Sequence, residues 1–211
     1  MSAREIRHRA EIGAELSARR ILGAVAEVGV AEGRFSLEIL AWGVSRLYLV
    51  DAWREMTQAP PDNGRSHWLA AGLPESLWNG EDVYVDGIGD AAMPQEWHDA
   101  NLAKVQKVAK RDKRVTILRG LSIEMAAEVP DGSLSLAYLD AGHGYSAVKA
   151  DLLAWWPKVA PGGILAGHDY LGYHGVRRAA DEFAARLGLT LRVIREHKDE
   201  DAGFWVEKAA A

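Results

Sequence analysis

Leu134-Ser135-Leu136-Ala137-Tyr138-Leu139 runs into Asp140-Ala141-Gly142-His143-Gly144-Tyr145. Eighteen residues later Gly163-Ile164-Leu165-Ala166-Gly167 runs into His168-Asp169-Tyr170. Both apolar runs have strand length, and each ends in polar side chains. Between them Val148, Leu152, Trp155 or Trp156, and Val159 recur at helical spacing, and Pro161-Gly162-Gly163 is expected to stop that helix. Strand, helix and strand of this length make a parallel crossover, so both strands end on one edge of a sheet. Asp140, His143, His168 and Asp169 are therefore expected to meet at that edge, where open α/β sheets bind ligands.

Upstream, Ala24-Val25-Ala26-Glu27-Val28 reads as a strand, Gly29-Val30-Ala31-Glu32-Gly33 as a turn, and Arg34 to Trp42 as a helix. A glycine-rich turn lets a ligand approach the backbone, and its free N–H groups attract negative charge. The dinucleotide fingerprint requires glycine where Ala31 stands, which argues against NAD. Glu27 is costly at the end of a buried strand unless it has a partner, and a ligand ammonium group would supply one. Arg46-Leu47-Tyr48-Leu49-Val50 ends in Asp51, 18 positions after Gly33. An acid there suits the paired hydroxyls of a ribose.

The rest of the chain supplies the remaining elements. A basic amphipathic helix is expected over 3–22, another over about 98–110, and a third strand at Val115-Thr116-Ile117-Leu118. Ser122 either caps a short helix that reaches Val129 or touches an adenine. A helix carrying Val176, Ala179, Phe183 and Leu187 closes at Gly188, and the strands at 189–194 and 203–206 form an antiparallel hairpin. Residues 53–97 break the rhythm, with Trp53, Trp68, Trp78 and Trp97 among prolines and glycines. This insertion is a candidate lid or acceptor segment within a single domain spanning 1–211, and equally a static cover or a subunit contact.

Composition sets the outer limits. The 211 residues carry a net charge of -5, with no general attraction for nucleic acid or anionic membrane. No apolar run is long enough to span a bilayer, and the charged N-terminus lacks the apolar core of a secretory signal, so a cytoplasmic location is expected by default. The absence of cysteine excludes disulfides, thiolate metal sites and thiol nucleophiles. The partner expected is a small molecule, with a homo-oligomer paired through the tryptophans as a further possibility.

A strand, a glycine turn, an acid after strand two, an Asp on strand four and a terminal hairpin together resemble a class I S-adenosylmethionine-dependent methyltransferase. The run from Tyr138 to Tyr145, with Asp151, Trp155, Trp156 and 161–170, is similar to the branch of macrocin-type sugar O-methyltransferases and, more distantly, to catechol O-methyltransferase. The resemblance implies an α/β, Rossmann-like, seven-stranded sheet in the order 3-2-1-4-5-7-6, with strand seven antiparallel and helices on both faces. It implies that Glu27, Gly29 and Gly33 cradle the methionine part of S-adenosylmethionine, that Asp51 holds the ribose, and that Ala52 and Trp53 lie beside the adenine. It further implies Asp140 and Asp169 as ligands of a divalent metal such as magnesium, and His143 as the catalytic base. His168 stands where close relatives carry a second acid, which makes it the third candidate metal ligand, although imidazole favours zinc, iron or nickel over magnesium. The function expected is methyl transfer to a hydroxyl of a sugar or phenol. The rivals are a metal-free N- or carboxyl-methyltransferase, a non-catalytic nucleoside-binding module, and a sheet edge whose polar groups merely satisfy one another.

Overall fold

A computed structural model of the chain describes residues 6–55, 93–195 and 202–210. Most of the 53–97 insertion, residues 56–92, lies outside the described residues. The strands are β1 (Ala24–Val28), β2 (Arg46–Asp51), β3 (Val115–Arg119), β4 (Leu134–Leu139), β5 (Val159–Gly167), β6 (Arg192–Ile194) and β7 (Gly203–Glu207). They form one sheet in the order β3-β2-β1-β4-β5-β7-β6. The pairs from β3 to β5 are parallel, whereas β7 runs antiparallel to both β5 and β6. This is the topology the resemblance implied. The helices are α1 (Ile12–Ala18), α2 (Arg34–Ala41), α3 (Gln95–Arg111), α4 (Ser122–Met125), α5 (Tyr145–Trp155) and α6 (His174–Leu187).

Two apolar clusters sandwich the sheet, because side chains alternate across it with period two. On β4, Leu134, Ala137 and Leu139 join the cluster containing Val148, Leu152, Trp155 and Phe183 of α5 and α6. Leu136 and Tyr138 join the opposite cluster, with Leu16 of α1, Phe35 and Ile39 of α2, and Val105 of α3. All six β4 residues are buried. That explains why the strand reads as a continuous apolar run: a parallel strand covered on both faces has no polar side.

Three local expectations change. The basic helix over 3–22 is shorter: a 3₁₀ turn at Arg9–Glu11 precedes α1, which ends at Ala18. The helix after β4 ends at Trp155, where a 3₁₀ turn containing Pro157 takes over, and Pro161, Gly162 and Gly163 lie inside β5. Pro157 offers no N–H to continue the helical ladder. Ser122 opens α4 but makes no side-chain cap; instead its Oγ accepts the indole N–H of Trp155 at 2.9 Å. Among the described residues no helix is long and apolar enough to cross a membrane.

Candidate active site

The parallel strands deliver Glu27, Asp51, Asp140, His168 and Asp169 to one edge of the sheet, as their registers require. The backbone there is unusual. Of four non-glycine residues with positive φ among the described residues, three follow or end strand runs at this edge: Ala31 (47°), Trp53 (40°) and Asp169 (63°). Such conformations cost roughly 1–3 kcal/mol each and cluster at functional sites. Gly29, with φ of 86°, packs so tightly that an added Cβ would lie 1.9 Å from the carbonyl oxygen of Asp140. The first turn and the end of β4 are therefore locked together through a position only glycine fits.

Glu27 is 3% exposed, and its carboxylate accepts a hydrogen bond from the Ser36 hydroxyl on α2. Burial pushes its pKa up to about 8 despite that bond, with the charges of Asp140 and Asp51 adding to the rise and Arg9 opposing it. An acid in this state lacks sufficient positive charge, which fits the expectation of a ligand ammonium beside it.

Asp51 has a task the sequence did not disclose. Its Oδ2 accepts the backbone N–H groups of Val30 and Ala31, each at 2.9 Å, and its Oδ1 accepts that of Trp53 at 2.7 Å. Three of about four acceptor positions of the carboxylate are thus engaged in shaping the glycine turn. Trp53 completes the arrangement, donating its indole N–H to the carbonyl of Ala31 at 2.9 Å. Its ring is wholly buried, so it acts as a staple under the turn, a role additional to the place beside the adenine that the resemblance implied. Ala52 is half-buried beside it.

At the ends of β4 and β5 the four expected groups converge. His143 Nε2 lies 2.8 Å from Asp169 Oδ2, and His168 Nδ1 lies 3.1 Å from Asp169 Oδ1 and 3.8 Å from Asp140 Oδ1. One carboxylate is held by two imidazoles. Burial alone would raise the pKa of Asp169, but the bonds with His143 and His168 outweigh it and hold the carboxyl well below its ordinary range. Asp140 is pushed up to about 6 by burial, with His168 opposing the rise and Asp169 adding to it. Burial works against charge on His168, yet its bond to Asp169 and the nearby Asp140 leave its pKa raised. Tyr173, which the sequence did not single out, stacks on the His143 ring at 4.2 Å between centroids and 14° between planes.

Donor atoms of Asp140, His143 and Asp169 lie within 4.8 Å of one another. Two carboxylates and one imidazole suit a divalent ion. The grouping differs from the expected set, in which His168 was the nitrogen ligand. His168 turns its Nδ1 toward Asp169 instead.

A family model described as a methyltransferase domain matches residues 16–170. The chain belongs to this methyltransferase family. Among solved structures, the methyltransferase is similar to the O-methyltransferase NovP at 19% identity and a TM-score of 0.63, over 95% of this chain and 77% of that one. It is similar to SMU.1697c from Streptococcus mutans, solved in complex with SAH, at 13% identity and a TM-score of 0.53, over 88% of each chain. A precorrin-6y C5,15-methyltransferase from Geobacter metallireducens gives 12% identity and a TM-score of 0.55, over 95% of this chain and 88% of that one. No curated protein matches in sequence. The methyltransferase is thus an S-adenosylmethionine-dependent enzyme of the class I fold. Its solved neighbours at this low identity share that fold.

Proposed function

We propose that the enzyme transfers the methyl group of S-adenosylmethionine to a hydroxyl of a small acceptor such as a sugar or phenol. The observation that carries this reading is the pair of imidazoles on Asp169, beside Asp140, at the sheet edge next to Glu27. Methyl transfer to a hydroxyl needs in-line placement and a group that removes the proton. The likeness to NovP, an O-methyltransferase, points the same way.

S-adenosylmethionine supplies an electrophilic methyl on a sulfonium. The C–O bond forms as the C–S bond breaks, sulfur keeps the electron pair, and the products are a methyl ether and S-adenosylhomocysteine. The protein's part is the proton. His143 turns Nε2 toward the centre shared with Asp140 and Asp169; this nitrogen takes the hydroxyl proton once the acceptor oxygen replaces Asp169 as its partner, and Asp169 then stabilises the imidazolium that results. Tyr173 fixes the ring plane. A divalent ion held by Asp140, His143 and Asp169 would lower the pKa of the hydroxyl and would occupy a ring nitrogen of His143, which would pass the role of base to His168.

A second assignment has its own support. His168 directs Nδ1 at Asp169, which leaves Nε2 as its proton-accepting atom, the tautomer control familiar from catalytic histidines. Rates of His143→Ala and His168→Ala separate the two on an acceptor found by screening sugars and phenols with methyl-labelled cofactor. The true base should lose roughly 10²–10⁴-fold in kcat with cofactor affinity nearly unchanged. Near-full rate in both variants would remove the imidazole mechanism. Indifference of the wild type to EDTA would remove the metal.

A further inference from the structure

We infer that Arg9 binds the α-carboxylate of the cofactor's methionine moiety, as the counterpart of Glu27 at the ammonium. The inference rests on the cofactor reading above. Arg9 lies outside the residues matched by the family model, on the 3₁₀ turn before α1. Its segment is pinned by buried side chains on both sides, Ile6 at 3% and Ile12 at 0% exposure. His8 braces the turn, accepting the N–H of Ala10 through Nδ1 at 3.1 Å. The guanidinium carbon sits 4.8 Å above the Phe35 ring. Phe35 stands two residues after Gly33 of the cofactor turn and immediately before Ser36, the hydroxyl that bonds Glu27. The arginine therefore overlooks the turn and the acid together, and its charge acts on Glu27, Asp140 and His168.

The chemistry requires such a group. The amino-acid end of the cofactor carries an ammonium and a carboxylate on one carbon. Glu27 and Asp140 favour the first and repel the second, so a ligand seated by Glu27 alone would face repulsion at its carboxylate. A guanidinium over the Phe35 ring, whose charge already acts on Glu27, removes that conflict and binds carboxylates through paired N–H groups. The merely structural role for Arg9, neutralising buried acids, makes no distinction between ligands with and without a carboxylate.

Calorimetry with two ligands separates these roles: S-adenosylhomocysteine, and its decarboxylated analogue S-adenosyl-3-thiopropylamine, which keeps the ammonium. The wild type should prefer the former by roughly 10–100-fold, the worth of a charge-assisted pair. Arg9→Gln should erase that preference by weakening S-adenosylhomocysteine alone, and Arg9→Lys should recover part of it. Equal affinity of the wild type for both ligands overturns the inference without any variant. Equal losses for both ligands in Arg9→Gln overturn it as well, in favour of the structural role. Should the wild type bind neither ligand, the cofactor reading itself falls and takes this inference with it.

Discussion

Replacing Glu27 by glutamine should make the cofactor-free protein more stable and its cofactor binding weaker. Burial places the Glu27 pKa at about 8, against an ordinary value of 4.5. Its folded-state pKa is raised, so the contribution of proton binding is complete below 4.5 and is lost as pH climbs through about 8. At pH 7 the unfolded chain has released the proton while the folded protein retains it, across about 2.5 pH units. At about 1.4 kcal/mol per unit, this costs the wild type roughly 3 kcal/mol. Glutamine keeps an oxygen for the Ser36 hydroxyl and carries no titrating proton. Thermal unfolding at pH 7 should show Glu27→Gln roughly 6–12 °C more stable, at about 2–4 °C per kcal/mol for a chain of this size. At pH 4.5 the gain should nearly vanish, because the buried carboxyl is protonated and the unfolded one is only half ionised. In exchange, affinity for S-adenosylhomocysteine should fall by roughly 1.5–3 kcal/mol through loss of a charged partner for the ammonium. A variant no more stable than the wild type at pH 7, or equally stabilised at pH 4.5 and 7, would refute the reasoning.

Other perturbations test other parts of the site. Gly29→Ala forces a Cβ against the Asp140 carbonyl at a left-handed position, and urea unfolding should show a loss on the order of 4 kcal/mol or no folded protein; wild-type stability would mean the turn can move away. Asp51→Ala should lower stability by about 1–3 kcal/mol as well as weakening cofactor binding, since three backbone N–H groups lose their acceptor. A pure affinity effect with unchanged unfolding would return Asp51 to ribose contact alone. Asp169→Ala releases both imidazoles, so the pKa of His168 measured by NMR should fall; an unchanged value would show that Asp169 does not hold it.

Much of this was legible because topology and strand register are written in periodicity. The run 134–139, the crossover to 163–167 and the terminal hairpin each carry a signal of length, alternation or punctuation, and together they place Asp140, His143, His168 and Asp169 at one edge. Glu27 could be singled out because an acid in an apolar strand demands a partner. What the sequence withheld are contacts between distant segments that leave no periodic trace. Ser36 bonds Glu27 from the adjoining helix, Trp53 anchors the carbonyl of Ala31, and Tyr173 stacks on His143 across a loop. Asp51 was legible as an acid at a strand end, but not as the acceptor that organises the glycine turn, because three of its bonds are to backbone groups. That the donor cluster takes in His143 rather than His168 has the same origin. Spacing puts both rings at the edge, and only the side-chain rotation decides which nitrogen faces the carboxylates.

A crystal structure of the enzyme with S-adenosylhomocysteine would test the central claim most directly. The account predicts the amino group of the ligand at Glu27, the ribose at Asp51, and the sulfur directed toward the cluster of Asp140, His143 and Asp169. Adenosine density at the Glu27 end, or a sulfur facing away from that cluster, would contradict it.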